Sequence, residues 1–444
     1  MRKKTRVIIF ALCIVLFCVA TPYIVLYSLG YRIDVTNKKI VGTGGIYVKA
    51  FPQGTDITID SKISNKTGLF SNYVFVQNLL PGDHTVSVIK DGYHDYKKNL
   101  LVKENEATKL ENVTLFKQKN DFVLLSDTID NFFVAPNNHT ILAITNHPKT
   151  IDFVIIDTEN QQKQTVSLNV INGIVSNVAW SGDSKKALLQ INTNYFLLDT
   201  NSKVPTITLQ KLLAKAEQVS FNQQDILFIK DKKLYSSSNT TPIAPTVLSY
   251  QKLDQTIWYF ASDGFLYAYD IQSKTTQKVT LQAWSVKNAT YRLIAFLGYT
   301  FLQEDQNLLQ LNSSLGIFKK VYNPVKEVLL SSDGQKIAYY NDNTISYELL
   351  NSKEDVVVLQ KYPENIKNVY WVNNDYLIAG TENNIFIFEI DARGNVNTIT
   401  LPKTITLDNN NINIASPKVF FNQQDKKLYL LTNGKLLVSE KLVP

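Results

Sequence analysis

The chain opens with a long uncharged segment between two groups of basic residues. No charge occurs from Val7 to Tyr31, whereas Arg2, Lys3, Lys4 and Arg6 precede this segment and Arg32 ends it. About 20 consecutive apolar residues allow a helix to cross the hydrocarbon core of a bilayer. The pattern predicts a signal-anchor helix over residues 7–29, with residues 1–6 as a cytoplasmic basic tail and the bulk of this single-pass membrane protein extracytoplasmic. The anchor residues are Val7, Phe10, Leu16, Phe17, Leu26 and Leu29.

A cleaved signal peptide is the alternative interpretation of this segment. Such peptides have a shorter apolar core and small residues at the cleavage site. Val19-Ala20-Thr21 followed by Pro22 is a poor site, and apolar residues resume at Tyr23. Bulky Phe17 before Cys18 argues against a lipid anchor, and thereby against an outer-membrane assembly factor of the lipoprotein type.

Apolar and polar residues alternate with period two after residue 44. Ile57 and Ile59 alternate with polar neighbours, as do Val86 and Val88 further along. This period predicts strands with one buried and one exposed face. Pro81-Gly82 predicts a turn, because proline presets its φ angle and glycine accepts positive φ.

The motifs of this segment resemble those of the PEGA domain, a small β-module of bacterial envelope and surface proteins. The residues that match the family pattern are Pro52, Gly54, Leu80, Pro81, Gly82, His84, Gly92 and Tyr93. The resemblance implies a small β-sandwich over residues 44–117. We interpret residues 30–43, between the anchor and this domain, as a linker. It also implies a structural or binding module, since the family has no catalytic residues to transfer.

From residue 118 to residue 444, β-hairpins recur without a convincing helical period. Eight polar turns separate pairs of apolar strands: Asn146-His147-Pro148, Asn192-Thr193-Asn194, Asp231-Lys232, Ser262-Asp263-Gly264, Asp305-Gln306-Asn307, Asn341-Asp342-Asn343, Glu382-Asn383-Asn384 and Asn433-Gly434. Their mean spacing of about 41 residues is typical of four-stranded β-propeller blades. The fold class is therefore all-β, with a propeller of eight blades or, alternatively, seven, because Trp284 to Val286 is an ambiguous strand.

The strands before these turns resemble the WD40-like and TolB-type propeller repeats. Examples are Val178 to Asp183, Val328 to Asp333 and Val369 to Asn373. The last unit shows only three strands, so we expect Phe122 to Leu125 to supply its outer strand and close the ring. Residues Phe116 to Asn120 are interpreted as a short hinge before the propeller.

Cysteine use and charge narrow the class of protein. Cys13 and Cys18 are the 2 cysteines of the chain and both lie in the anchor, so a disulfide or thiol chemistry beyond it is excluded. Without the four basic residues of the N-terminal tail, 42 Lys and Arg remain against 39 Asp and Glu. Such a balance provides no concentrated positive surface for nucleic acid.

No catalytic, cofactor-binding or metal-binding constellation is apparent. The four histidines, His84, His94, His139 and His147, lack metal-ligand spacing, and no nucleophile elbow or phosphate loop occurs. We interpret Asp183, Asp225, Asp263 and Asp333 as turn residues. Asp408 to Asn411 fits a solvated turn better than a calcium site. Trp180, Trp258, Trp284 and Trp371 fit blade-core packing better than a sugar-stacking surface.

We therefore expect an envelope-anchored, extracytoplasmic binding or scaffolding protein without a covalent step and without cofactors. Its partners would be the membrane through one helix, and cell-wall glycan or envelope proteins through the β-domains. The alternative is an exported propeller enzyme that acts on cell-wall or surface glycans. Carboxylates from different blades could then meet across the propeller face.

Overall fold

The computed structural model describes residues 3–35, 38–61, 63–68, 71–160, 162–201, 204–223, 225–296, 298–350, 356–407 and 410–443. Among these residues, one helix is long and apolar enough to cross a membrane. This helix, α1 (Lys3–Ser28), includes Pro22. The predicted anchor residues Phe10, Leu16 and Phe17 are about two-thirds exposed on it, as expected of a surface that faces lipid.

The helix ends one residue before the predicted boundary. Leu29 lies just beyond it and donates its backbone N–H to Val25 O at 3.0 Å, while Gly30 adopts a φ of 87°. Val7 and Leu26 lie within α1, and the side chain of Leu26 is half-buried. The left-handed glycine after the last turn is a common helix terminator, because it lets the chain leave the helix axis.

The segment predicted as a linker, 30–43, forms a β-hairpin instead. Strands β1 (Tyr31–Asp34) and β2 (Lys39–Gly42) pair antiparallel, with Ile33 opposite Ile40. The sequence did not predict this hairpin, because short strands with only a few alternating positions give a weak sequence signal.

The small domain is a sandwich of two sheets. Its strands are β3 (Gly44–Phe51), β4 (Asp56–Ile59), β5 (Ile63–Lys66), β6 (Tyr73–Leu79), β7 (Gly82–Ile89), β8 (Tyr96–Val102) and β9 (Ala107–Thr114). One sheet has the order β6-β3-β9, with β3 and β9 parallel, and the other has the order β5-β4-β7-β8. The predicted inward residues Ile57, Ile59, Val86 and Val88 are each at most 1% exposed, so the alternation prediction is confirmed.

The rest of the chain is a β-propeller built from consecutive antiparallel sheets. Its strands begin with β10 (Phe122–Ser126), β11 (Asn131–Val134), β12 (Thr140–Asn146), β13 (Thr150–Asp157), β14 (Gln162–Asn169), β15 (Val175–Trp180), β16 (Lys186–Ile191), β17 (Asn194–Asp199), β18 (Thr206–Leu209), β19 (Gln218–Asn222), β20 (Asp225–Lys230), β21 (Lys233–Ser236), β22 (Val247–Leu253), β23 (Thr256–Ala261), β24 (Leu266–Asp270) and β25 (Thr275–Lys278). A short 3-10 turn, Lys211–Leu213, precedes β19.

The second half of the propeller repeats the pattern. Its strands are β26 (Tyr291–Phe296), β27 (Tyr299–Glu304), β28 (Asn307–Asn312), β29 (Ile317–Tyr322), β30 (Glu327–Leu330), β31 (Lys336–Tyr340), β32 (Thr344–Leu349), β33 (Val357–Lys361), β34 (Asn368–Asn373), β35 (Tyr376–Gly380), β36 (Ile385–Glu389), β37 (Thr398–Thr400), β38 (Thr404–Leu407), β39 (Asn410–Asn413), β40 (Lys418–Asn422), β41 (Lys427–Thr432) and β42 (Lys435–Lys441). The described residues of the propeller, from β10 to β42, form eight sheets of three or four strands, and β38 and β39 form a separate hairpin.

Each of the eight predicted turns joins the second and third strands of one sheet. First strands of neighbouring sheets lie together, β15 beside β19, β22 beside β26 and β34 beside β40, which places them on the inside of the ring. Trp284 to Val286 is not a strand. The blade count of eight, with seven as the alternative, stays a prediction.

The two ends of the propeller meet in one sheet. Strand β10 pairs antiparallel with β42, and the sheet has the order β10-β42-β41-β40, which confirms the predicted closing strand. Leu124 lies opposite Leu437, which is completely buried. The pairing removes the open edges that the first and last units would otherwise expose.

Closure depends on this buried contact, so Leu437→Ala should lower the free energy of unfolding by about 2–5 kcal/mol, the usual result of removing a buried leucine. Val123, which is 63% exposed on the closing strand, provides a matched control. Val123→Ala should change the free energy of unfolding by no more than about 0.5 kcal/mol. Urea denaturation followed by circular dichroism measures both variants, and equal effects would contradict the assigned register.

Candidate functional site

The motif residues of the small domain stabilise its turns. Pro52 and Gly54 lie in the turn after β3, where Gly54 has a φ of 74°. Lys90 Nζ, from the end of β7, donates a hydrogen bond to Gln53 O in the same turn. This proline-glycine turn is thereby tied to the opposite sheet.

His84 links two further turns of the sandwich. Its Nδ1 lies 2.7 Å from Asp60 Oδ2 and its Nε2 lies 2.7 Å from the carbonyl of Leu80, the first residue of the Leu80-Pro81-Gly82 turn. Asp60 Oδ1 also accepts the backbone N–H of Thr85 at 2.9 Å. The histidine of the motif therefore has a structural function in fixing β4 against β7.

Gly92 and Tyr93 bind the segment that leads into the propeller. Gln118 N donates to Gly92 O at 3.0 Å, Tyr93 forms a β-bridge with Lys117, and His94 N donates to Phe116 O at 2.8 Å. Phe116 is fully buried against Tyr376, with ring centroids 5.3 Å apart. The hinge predicted at 116–120 was therefore wrong, because an apolar residue at its start is anchored in the core of the propeller.

A buried lysine joins the small domain to the propeller. Lys98 on β8 is 0% exposed, and its Nζ lies 2.6 Å from Glu389 Oε1. The same ammonium donates to Asp391 O at 2.7 Å and to Asn395 O at 2.8 Å. Its three donors are thus directed at three acceptors of the propeller. This matters because a buried charge is tolerated only when it is paired and hydrogen-bonded.

The carboxylate of Glu389 also accepts hydrogen bonds from several other donors. Tyr96 O–H donates to Glu389 Oε2 at 2.8 Å, and both the backbone and the side chain of Asn397 donate to Oε1, at 2.9 and 2.8 Å. Burial first, and then the negative charges around it, raises the pKa of Tyr96 far above its ordinary range. Tyr96 therefore acts as a permanent hydrogen-bond donor at this junction.

The loop between β36 and β37 docks along the edge of β8. Asn397 Oδ1 accepts from Lys97 N at 3.1 Å, Asn395 Oδ1 accepts from Asn99 N at 3.0 Å, and Asn395 Nδ2 donates to Lys97 O at 2.9 Å. A Cβ added at Gly394 would lie 2.0 Å from Asn99 O, so only glycine fits there. Two asparagine side chains thus replace the missing neighbouring strand at this edge.

A charged pair flanks the same loop. Arg393 Nη2 lies 2.7 Å from Asp391 Oδ2 and also donates to Lys109 O at 2.9 Å. Burial alone would raise the pKa of Asp391, but the hydrogen bonds from Arg393 and the charge of Lys98 lower it below its ordinary value. Asp391 is therefore held ionised between two cations of opposite domains.

A cleft of about 550 Å³ lies beside this junction and is lined by both domains. Its charges are already paired: Lys336 with Asp375 at 3.4 Å, and Lys109 with Glu111 at 3.8 Å. A cleft with such balanced charge suits a polar ligand without net charge better than a phosphate or a nucleic acid.

An exposed aromatic face continues from the cleft across the sheet β6-β3-β9. Tyr47 lies beside Lys109 on β9 and opposite Phe75 on β6. Phe75, Tyr73 and Phe51 are 44%, 50% and 40% exposed, and the rings of Tyr47 and Tyr73 stack with centroids 5.3 Å apart. We refer to this face and the adjoining cleft as the junction surface. Exposed aromatic clusters of this kind are typical of binding sites.

The predicted turn aspartates have structural partners. Asp183 Oδ1 accepts from Ser181 Oγ at 2.7 Å, and Asp333 Oδ1 accepts from Ser331 Oγ at 2.5 Å. Asp263 accepts a hydrogen bond from the hydroxyl of Tyr267, and Asp225 accepts hydrogen bonds from the hydroxyls of Ser236 and Ser238. The interpretation of these residues as turn formers agrees with this geometry.

Glu304, another buried carboxylate of the propeller, is similarly occupied. Lys287 Nζ at 3.0 Å, Tyr291 O–H at 3.0 Å and Trp284 Nε1 at 3.3 Å all donate to it. Burial opposes ionisation, but these donors lower the pKa of Glu304 below its ordinary value. Its oxygens are therefore engaged in stabilising the long connection that replaces the ambiguous strand.

The histidines and tryptophans do not form a shared site. Within the described ranges, no group of three or more His, Cys, Asp or Glu side chains could hold a metal ion. His139 lies 3.5 Å from Glu159 and His147 lies 3.1 Å from Asp152. The four tryptophans pack in or against three different core clusters. Asp408, at the start of the considered calcium segment, lies outside the described residues.

The junction was missed in the sequence, although one signal for it is present. In β8 the buried positions alternate as Tyr96, Lys98, Leu100 and Val102. A lysine on the buried face of a strand implies an acidic partner elsewhere in the chain, but the sequence offers no indication that the partner is Glu389, 291 residues away.

A comparison with known protein families identifies the small domain. Residues 43–118 match the PEGA domain, so the chain contains this domain. No curated protein matches the chain in sequence. Among solved structures, the chain is similar to the RRP9 WD40 repeats, with 10% identity, a TM-score of 0.42 and coverage of 73% of this chain and 98% of the other.

Two further solved structures show the same type of similarity. The computationally designed Ika8 protein aligns with a TM-score of 0.48 at 10% identity, over 71% of this chain and 96% of the other. Hsv2 of Kluyveromyces lactis aligns with a TM-score of 0.41 at 10% identity, over 62% of this chain and 98% of the other.

Removal of the buried ammonium should weaken the junction strongly. Lys98→Ala leaves Glu389 buried without its cation, which typically lowers the free energy of unfolding by about 3–5 kcal/mol. Lys97, whose side chain is exposed on the same strand, provides the control Lys97→Ala. Urea denaturation quantifies the loss, and limited trypsin digestion should cut near Lys117 and Lys119 in Lys98→Ala only. Equal resistance of both variants would show that the domains do not depend on this contact.

The junction should also weaken in acid. Because the pKa of Asp391 is lower in the folded chain than in the unfolded chain, its stabilising contribution is complete above pH about 4 and is lost as the pH falls further. The difference in unfolding free energy between the wild type and Asp391→Asn should therefore be largest near neutral pH and shrink on acidification. Urea denaturation at a series of pH values, from neutral to about pH 3, measures this difference in unfolding free energy. A constant difference would disprove the contribution of this charge.

Proposed function

We propose that this protein is an envelope-anchored, extracytoplasmic binding or scaffolding protein. In this proposal α1 fixes the chain in the membrane, and the PEGA domain and the propeller together present a recognition surface. The observation that supports it most is the Lys98–Glu389 junction, 2.6 Å between charged atoms at a site closed to solvent. Two domains joined in this way position a surface rigidly, which is the physical requirement of a scaffold.

We further propose that the protein works without a covalent step. Glu304 and Glu389, each 3% exposed, accept several hydrogen bonds from protein donors. A general acid or base has to reach its substrate within hydrogen-bond distance. These two carboxylates would first have to release structural partners, which favours binding over catalysis.

The junction surface is the proposed recognition site. It combines half-exposed aromatic rings with a cleft whose charges are balanced. Aromatic side chains provide large, rigid contact areas, and paired charges around them provide hydrogen bonds without selecting a charged ligand. We propose cell-wall glycan, or an envelope protein, as the partner of this surface.

The proposed topology rests on the basic residues at the N-terminal end of the chain. Arg2, Lys3, Lys4 and Arg6 precede the uncharged part of α1 and favour a cytoplasmic N-terminus. In bacterial cells whose surface is accessible, protease added from outside should then remove the C-terminal domain from the intact cell. A domain that resists protease in intact cells, but is degraded after lysis, would contradict the proposed location.

Binding can be tested with the full-length protein in detergent and purified cell-wall material. We expect saturable retention that falls strongly in Tyr47→Ala/Tyr73→Ala, because this double variant removes the stacked rings of the junction surface. Leu281→Ala, which alters an 80% exposed apolar residue of the propeller, is the matched control and should bind like the wild type.

Two outcomes would overturn this assignment. Equal retention of both variants would place the wall contact elsewhere on the molecule. Continuous release of reducing sugars by the wild type would instead support the alternative, an exported propeller enzyme that acts on glycans.

A further inference from the structure

The β1–β2 hairpin presents an unpartnered apolar face directly after α1. Tyr31 and Ile33 lie on one side of β1 and Val35 follows directly after the strand; they are 37%, 55% and 80% exposed. Ile40, 56% exposed on β2, lies opposite Ile33 and so extends the same face. Four large apolar side chains on a two-stranded hairpin form a patch that a water-exposed surface rarely carries.

The hairpin is fixed to the end of the helix. Arg32 Nη1 donates to Tyr27 O at 2.8 Å, and its guanidinium lies 3.5 Å from the centre of the Tyr27 ring. Thr43 donates to Gly30 O through both its backbone N–H, at 2.9 Å, and its hydroxyl, at 2.6 Å. Where the helix ends therefore determines where the hairpin lies.

The position of the helix end places the hairpin at a membrane interface. The headgroup region of one leaflet is roughly 5–8 Å thick. Strand β1 begins three residues after Ser28. Tyr23 and Tyr27 lie near the C-terminal end of α1 and Tyr31 begins β1, and tyrosine is enriched where the hydrocarbon core meets the headgroups. The apolar face therefore begins within this region.

The charges of the hairpin fit a lipid surface as well. Arg32, Lys38 and Lys39 are basic and Asp34 is the single acid between Tyr31 and Gly42. In the register, Asp34 lies opposite Lys39, on the other side of the hairpin from Ile33 and Ile40. An apolar face combined with an excess of basic residues is the pattern of segments that bind in the plane of anionic membranes.

We propose that this hairpin is a second membrane contact, with the face formed by Tyr31, Ile33, Val35 and Ile40 seated at the boundary of headgroups and acyl chains. The inference rests on the proposed anchoring through α1 and extends it. Because Gly44 begins the PEGA domain two residues after the hairpin, this contact sets the height and tilt of the junction surface above the bilayer.

The test uses the full chain with Cys13→Ser and Cys18→Ser, in vesicles of equal parts phosphatidylethanolamine and phosphatidylglycerol. Single cysteines are introduced by Ile33→Cys or Ile40→Cys on the apolar face, and by Asp34→Cys or Lys39→Cys on the opposite face as matched controls. Each cysteine carries a nitroxide spin label. Electron paramagnetic resonance then compares its collisions with oxygen, which concentrates in lipid, and with a water-soluble nickel chelate.

We expect labels at positions 33 and 40 to show a higher ratio of oxygen to nickel collisions than labels at 34 and 39. If the proteins float with the vesicles but the four ratios are equal, the anchor is intact and the hairpin contact is disproved. Spin–spin broadening confined to positions 33 and 40 would show a second copy of the chain on this face, and would also overturn the proposal. Failure to float with the vesicles would disprove the anchoring itself, and the proposed function with it.

Discussion

The buried ion pair of Lys98 and Glu389 fixes the PEGA domain against the propeller. Removing two charges from water is costly, and their attraction offsets this cost only when the remaining donors and acceptors are also satisfied. Here Tyr96, Asn397 and the carbonyls of the 391–395 loop complete the set. A site that has to be fully assembled to be stable tolerates one relative position of the two domains. The PEGA domain is therefore docked rigidly on the propeller and is not connected to it by a flexible linker alone.

This constraint connects the structure to the proposed function. The propeller closes on itself through β10 and β42, so that its ends are secured immediately after the segment that Gly92 and Tyr93 bind. Helix, hairpin, PEGA domain and closed propeller then follow one another without a long flexible connection among the described residues. A chain built in this way can hold a recognition surface in a defined position, as the proposed scaffold requires.

Local features were predictable from the sequence, whereas long-range ones were not. The eight turns could be found because asparagine, aspartate and glycine favour left-handed turn conformations. The closing strand at residues 122–125 could be predicted because the last unit shows only three strands and needs a fourth. Phe116 was misinterpreted as part of a hinge, and the hairpin within 30–43 was not predicted, since short segments lack a readable period. Lys98 occupies a buried position of an alternating strand, which indicates that it has a buried acidic partner. Only the fold shows that this partner is Glu389, because turns and periods contain no information about pairs so distant in the chain.

The most direct test measures the distance between the two domains in the full-length protein. Spin labels at Asp91→Cys in the PEGA domain and Ile171→Cys in the propeller, both exposed positions, report it by double electron–electron resonance once Cys13 and Cys18 are replaced by serine. A rigid junction predicts one narrow distance distribution that broadens when Lys98→Ala is added. A broad distribution in the otherwise unaltered chain would contradict the central claim that the buried pair joins the domains into one body.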